Sequence, residues 1–264
     1  MAEVLSLLTR IAQAASVHEV WELSVAHFAR LGFARANYGF TRFRSIRTVG
    51  DPDDALFLTT ADERYAQLYF RNGFYARTPA FRWAQHNEGA CTWTWVREAM
   101  LAGKLSPEEA ETVRQNAAMG IVAGITISFP ETSTRAKGAM GLIADPGLDH
   151  LAVDRIFAEK RDELLSVAQM MHLKLMQLPI ASRRRALTAR QREALEWVAD
   201  GKTSVDVAML MGVSAAMVEK HLRLARDALS VDTTAQAVAK ASLMNLIFQR
   251  VPPAEPAVVP IAAR

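Results

Sequence analysis

Cysteine is nearly missing from this chain: Cys91 stands alone among 264 residues. One thiol cannot close an intrachain disulfide, so nothing points to an oxidising compartment. Long apolar runs are missing too. No stretch approaches the roughly 18–20 uncharged apolar residues that span a bilayer, so no membrane segment is expected. The N-terminal MAEVLSLLTRIAQAASVHEV has no basic leader, and Glu3 and Arg10 flank its short apolar run. Its Val4, Leu5, Leu7, Leu8 and Ile11 recur at helical spacing, which reads as an amphipathic helix and not a signal peptide. The expected compartment is the cytoplasm. The six histidines, at 18, 27, 86, 150, 172 and 221, form no pair at metal-ligand spacing, and none partners Cys91 at a recognisable distance. No glycine-rich phosphate loop precedes a helix. Neither a metal nor a cofactor is therefore expected, and no constellation announces an enzyme.

What is present is the profile of a packed protein, 50% hydrophobic and 22% charged. The net charge of +3 is unevenly placed. Residues 1–180 carry 19 Lys+Arg against 20 Asp+Glu, and residues 181–264 carry 12 against 8. A small basic module joined to a larger neutral one suits a nucleic-acid reader attached to a sensor or assembly domain.

Along residues 1–177 the pattern is helix, strands, helix. Helical periodicity continues from the N-terminal helix through Val20 to Leu31, with Gly32 as a stop. Strands are expected at Asn37–Phe43 and Ala55–Thr60, then a helix at Glu63–Arg71. Ser106-Pro-Glu-Glu109 reads as a capped helix start running toward Met119. Two further strands, Ala123–Phe129 and Gly138–Ala144, precede a long amphipathic helix from Asp149 to Gln177. The fold class is α+β, a layered sandwich. Residues 178–185, LPIASRRR, read as a linker, with Arg183, Arg184 and Arg185 either solvated or near phosphate. The last stretch, 249–264, is rich in proline and alanine without period, and reads as a tail.

Residues 186–248 carry the most specific signal. Thr188 precedes a helix ending at Gly201; Asp206–Met211 is a short second helix; Gly212 supplies a turn; Ser214 caps a third helix, Ala215–Leu229. That is a helix-turn-helix, which aims the third helix into the DNA major groove. Val218, Leu222, Ala225 and Leu229 face inward, and Glu219, Lys220, Arg223 and Arg226 outward. Lys220 and Arg223 can reach bases or phosphates. Glu219 either accepts from cytosine N4 or pairs with Lys220 or Arg223. A solvated helix face is the alternative for each basic residue.

Leu187-Thr188-x-Arg190-x-x-Glu193-x-Leu195, Gly201-Lys202-Thr203, Val213-Ser214-x-x-x-Val218-x-x-His221, Leu229-x-Val231 and Gln236-Ala237-Val238-Ala239 together resemble the LuxR-type DNA-binding domain. Departures are Gln191 where an acid is usual and Met217 where a threonine is usual. The resemblance implies a four-helix module whose fourth helix, Thr234–Leu246, helps dimerise. It also implies a homodimer on a palindromic site in double-stranded DNA. The candidate contact set is Lys202, Thr203, Ser214, Glu219, Lys220, Arg223 and Arg226.

Residues 1–177 resemble the autoinducer-binding domain of the quorum-sensing branch, anchored on Tyr69, Pro79, Trp93 and Gly120-x-x-x-Gly124-Ile-Thr-Ile. That resemblance implies an α-β-α sandwich with an antiparallel sheet and a pocket for an acyl-homoserine lactone. Of the family's polar set, the tryptophan position is Tyr65 here, the aspartate is Thr78, the strand hydroxyl is Ala144, and a further tyrosine falls near Ala61. The expected pocket set is Tyr65, Tyr69, Thr78, Trp93 and Ala144. Loss of the carboxylate leads to the expectation of a non-standard or absent lactone response, with a small apolar or lactone-like ligand in the pocket. The alternatives are a ligand-independent dimeric regulator and an anti-activator that pairs with a relative.

Overall fold

The computed structural model describes residues 2–44, 50–131, 133–180 and 186–248. The chain divides into two compact units, one ending at Met176 and one beginning at Gln177.

The first unit opens with α1 (Ala2–Gln13) and α2 (Val17–Arg30). The expected continuous helical run is broken at Ser16, whose side chain accepts from the Glu19 amide and starts a new helix. Five strands follow: β1 (Arg35–Thr41), β2 (Leu56–Thr59), β3 (Gly89–Thr92), β4 (Gly124–Ser128) and β5 (Lys137–Ile143). They form one antiparallel sheet in the order β2-β1-β5-β4-β3. Between β2 and β3 lie α3 (Glu63–Ala66), a π-helical turn Gln67–Arg71, a 3-10 turn Phe74–Arg77, and α4 (Pro79–His86). Helices α5 (Thr94–Leu101) and α6 (Pro107–Ala118) separate β3 from β4, and α7 (His150–Gln177) closes the unit. Ser106 and Glu109 form the capping box of α6, as the Ser-Pro-Glu-Glu run implies.

Strand alternation sorts large side chains from small ones. Tyr38, Phe40, Met140, Leu142, Ile125 and Ile127 are buried on one face, where Tyr38 meets His172 of α7. The other face presents Gly39, Ala139 and Gly141, aligned across β1 and β5 by their register. Those residues leave a nearly bare floor. The helices between β2 and β4 span it without filling it, and a cavity remains.

His27 on α2 is buried at 4% exposure, with Glu163 of α7 3.3 Å from its Nε2 and Arg30 3.1 Å from its Nδ1. Burial lowers its pKa below the ordinary 6.5; Arg30 adds to that, and together they outweigh the opposing pull of Glu163. The imidazole is thus held neutral, and its share of stability is complete above the ordinary value. As pH falls below about 6.5 the unfolded chain takes up the proton first, and stability drops until the folded pKa is passed. Urea midpoints between pH 7.5 and 5 should therefore decline, and His27→Gln should flatten that decline.

The second unit contains α8 (Ala189–Ala199), α9 (Ser204–Met211), α10 (Ala215–Leu229) and α11 (Thr234–Leu243). Each start is capped: Thr188 with Gln191, Thr203 with Asp206, Ser214 accepting from Met217, and Thr233 with Gln236. Gln191, the departure noted above, closes its box as an acid would. Gly212 ends α9 at a φ of 64°, a conformation that favours glycine. Leu195, Val207, Val218, Leu222 and Leu229 form the core. Within the expected linker, Leu178 and Ile180 are buried: the Ile180 amide donates to Met244 O, and Asn245 donates to Leu178 O. Leu178–Ile180 therefore pack with the second unit and are not free chain. Arg183, Arg184 and Arg185, and the tail 249–264, lie outside the described residues.

Candidate functional site

The cavity over the bare floor measures about 540 Å³. Tyr65, Tyr69, Thr78 and Trp93 of the expected set all line it. Ala144 does not. The strand positions that face the cavity are Gly141 and Ile143, and Ala144 lies beyond the end of β5, its amide bonded to Ala123 O. A one-residue error in counting flips a strand residue to the other side, and that accounts for the misassignment.

The inner end of the cavity is organised by Asn37 of β1. Its Nδ2 donates to the Tyr65 hydroxyl at 3.2 Å, and its Oδ1 accepts from Thr59 at 2.7 Å. It also reaches the Tyr69 hydroxyl. The two tyrosine rings stack at 5.3 Å between centroids. Burial pushes the Tyr65 phenol up to about 12 and the Tyr69 phenol higher still. Both remain protonated, neutral donors across the physiological range. The Trp93 indole N–H donates to Thr126 of β4 at 2.8 Å. Asn37 and Thr126 are absent from the expected set. Their signal in the sequence is slight: single polar residues within otherwise apolar strands.

Thr78 is 4% exposed. Its hydroxyl donates to Tyr75 O at 2.8 Å and accepts from the Phe81 amide at 3.2 Å, capping α4. Asp149, the acidic residue among those lining the cavity, is exposed at the start of α7 and caps it through the Ala152 amide. No carboxylate serves the inner end among the described residues. A narrower slot of about 100 Å³ continues over the floor between Phe57, Phe70, Tyr75 and Phe81. Cys91 is a free thiol that burial pushes up to about 11, so it is no nucleophile at neutral pH.

In the second unit, α10 presents Ala216, Glu219, Lys220 and Arg223 outward, all exposed. Among the described residues Lys220 and Lys202 form no ion pair, although Lys202 acts on Asp206 from beyond pairing distance, whereas Arg223 pairs with Asp227 at 3.1 Å in the open. Two expectations need correction. Arg226 does not point outward: it is half-buried and donates to Thr234 at 2.9 Å, fastening α11 to α10. Glu219 pairs with neither Lys220 nor Arg223; it accepts from Ser204 of α9 at 2.7 Å, bracing the two helices of the motif. Thr203 and Ser214 spend their side chains on helix caps. The outer face of α9 is apolar, with Val205 62% and Met209 71% exposed. Residues 186–248 hold 7 Lys+Arg and 7 Asp+Glu, so the basic excess of the C-terminal part sits in the segments flanking the helices.

Residues 16–175 match the family described as Autoinducer binding domain, and residues 185–241 match Bacterial regulatory proteins, luxR family. The chain belongs to the LuxR family of bacterial regulators. That family is one of DNA-binding regulators and not of enzymes. Among its curated members, Transcriptional activator protein SolR of Ralstonia nicotianae is 30% identical over 129 residues, 47% of this chain and 54% of SolR. Transcriptional activator protein LuxR of Aliivibrio fischeri is 23% identical over 196 residues, 74% of this chain and 76% of its own. The match to SolR thus spans about half of that protein's length. Escherichia coli SdiA has the same fold, with a TM-score of 0.55 at 18% identity, covering 94% of this chain and 99% of SdiA. Burkholderia cenocepacia CepR2, described as an N-acylhomoserine lactone dependent LuxR family factor, gives a TM-score of 0.50 at 18% identity over 67% of this chain and 97% of its own. No helix among the described residues is long and apolar enough to cross a membrane.

Proposed function

We propose that this LuxR-family chain acts as a cytoplasmic homodimer that binds a palindromic DNA site through α10. In this reading its cavity takes a small amphiphile, and standard acyl-homoserine lactones bind weakly or not at all. The observation that carries the last part is Thr78. A lactone's amide N–H needs an acceptor once it is buried, and an unpaired group costs about 1–3 kcal/mol. Thr78 has its hydroxyl hydrogen on Tyr75 O and one of its two lone pairs on the Phe81 amide, so what it can offer is a single neutral acceptor already shared with a helix cap, where the family uses a carboxylate. Titration calorimetry with hexanoyl- and decanoyl-homoserine lactone tests the reading; nanomolar binding of either overturns it. Thr78→Asp is the informative variant. Aspartate caps helices as well as threonine does, so the fold should survive, and a carboxylate would then face the amide. Lactone affinity should rise by roughly 10–100-fold, the worth of a hydrogen bond to a charged group.

Lys220, Arg223 and Lys202 are the residues proposed to touch DNA, with Ser214 offering a helix-start amide to phosphate, whereas the Thr203 amide is taken by Asp206. Arg223→Ala should weaken specific binding by about 1–3 kcal/mol and relax one base position. An unchanged footprint and unchanged affinity would contradict that. Glu219→Gln keeps the acceptor for Ser204 but removes a charge facing the phosphates. It should strengthen binding severalfold on all sequences, as gel-shift titration would show.

A further inference from the structure

We infer that Asp227 is the positioning residue for Arg223: it holds the guanidinium in one plane before DNA arrives, and so sets a preference for guanine at one position of the half-site. This rests on the proposed reading of Arg223 as a base contact and names what makes that contact selective.

Ala216, Lys220, Arg223 and Asp227 are all exposed, and spacings of four, three and four residues place them along one stripe of α10. The opposite stripe is Val218, Leu222, Ala225 and Leu229, buried in the core. Asp227 stands on that outward stripe where an acid is least expected. It lies in the last turn of the helix, whose unpaired carbonyls disfavour negative charge. It also shares the face of Lys220 and Arg223, the face proposed to meet DNA, where a carboxylate opposes the phosphates. Its bond from Arg223, Nη1 to Oδ2 at 3.1 Å, runs from a cation to an anion four residues later, the weaker order for a helical pair. Both side chains are more than half exposed, at 57% and 61%, and a pair in the open adds little to stability. Stability does not account for Asp227.

Orientation does. A guanidinium carries its N–H donors in one rigid plane. The bond to Asp227 uses Nη1, and Arg223 makes no other hydrogen bond among the described residues, so Nε and Nη2 are left as a pair of parallel donors. O6 and N7 of guanine are the matching pair of acceptors. Guanine is told from the other bases only when both bonds form together, and a tethered plane makes that the preferred outcome. An untethered arginine at the same place turns freely and settles on phosphate as readily as on a base, gaining affinity without selectivity. The same carboxylate that weakens attraction to DNA in general therefore sharpens the choice of one base.

The test uses the full chain, a duplex selected from a random library, and duplexes in which each guanine of its half-site is replaced in turn by adenine. Fluorescence anisotropy at one fixed salt concentration gives the affinity for each. Arg223→Ala marks its guanine as the position where the guanine-over-adenine ratio is lost. Asp227→Ala should lower the ratio at that position about three- to tenfold, while raising affinity for unrelated duplex severalfold, because a charge facing the phosphates is gone. Glu219→Gln, which also removes a charge from α10, should raise every affinity alike and so separates charge from positioning. Asp227→Glu, which still reaches Arg223, should keep most of the ratio. Alanine replaces an acid in a C-terminal turn, so the melting temperature of the free protein should not fall. A wild-type ratio in Asp227→Ala overturns the inference, as does a further fall in the ratio when Arg223 is already alanine. If Arg223→Ala alters the ratio at no position, the earlier reading of Arg223 fails and takes this one with it.

Discussion

Gly124→Ala is expected to be the most damaging single-methyl change in the first unit. Gly124 opens β4 opposite Ile143 of β5. A Cβ there would lie 2.3 Å from the Leu142 carbonyl oxygen and 2.9 Å from the Trp93 ring. The Trp93 amide also donates to Gly124 O at 2.8 Å, so the ring is held over the strand by its own backbone. Neither neighbour is a flexible side-chain end. The strands must part, or the indole must swing into the cavity and release Thr126. We expect a loss of about 3 kcal/mol, the upper end for overpacking, read as a lower urea midpoint with loss of ligand binding. Two controls separate space from backbone freedom. Gly120→Ala meets nothing within 4 Å but sits at a φ of 70°, so its cost is about 1–2 kcal/mol of left-handed strain. Gly141→Ala, 3.9 Å from Trp93, should be nearly neutral.

The second large effect is expected at His172. This residue is wholly buried on α7, with Nδ1 2.8 Å from the Tyr38 hydroxyl and Nε2 3.1 Å from the Glu131 carboxylate. The Nε2 contact is within ion-pair distance but off the hydrogen-bond line, because the ring lies flat on Phe129 at 4.1 Å. Gly138 makes room for it; a Cβ there would stand 2.5 Å from the imidazole Cε1. His172→Leu conserves bulk but strands a phenol and a carboxylate inside the core. Leaving a buried polar group without its partner costs about 1–3 kcal/mol, more where the group is charged, so the melting temperature should fall sharply. Adding Tyr38→Phe and Glu131→Gln to His172→Leu should recover much of that loss, since the groups left without partners would then be neutral or gone. If the triple variant is no more stable than the single, the network contributes only packing.

The second unit was the more legible from sequence because its structure is set locally. Ser214 and the limits of α10 are where the caps and apolar spacing put them. α9 begins two residues before Asp206, because Asp206 is the N3 partner of Thr203 and not the start. What local pattern could not supply was which outward residue a neighbouring helix engages. Arg226 meets Thr234 of α11, and Glu219 meets Ser204 of α9. In the first unit, the four apolar strands were readable, whereas β3 is a four-residue edge strand, Gly-Ala-Cys-Thr, with no alternation to betray it. The aromatic frame of the cavity is what the resemblance to the autoinducer-binding domain implies. Its polar contacts are not, because Asn37, Thr126, Asn116 and His150 come from four separate elements that only the fold brings around one space.

The balance of charge in residues 186–248 has a kinetic consequence. A polyanion pulls from a distance on net charge, and these helices have none to offer. From the helices alone, encounter with DNA should proceed at about the unsteered 10⁵–10⁶ M⁻¹s⁻¹, and little time would be spent sliding along irrelevant sequence. If Lys220 and Arg223 contact DNA as proposed, discrimination would then lie in how long the protein stays at a correct site. On the proposed reading, long-range pull toward DNA then falls to the basic stretches on either side of the helices, and residence to the helices themselves.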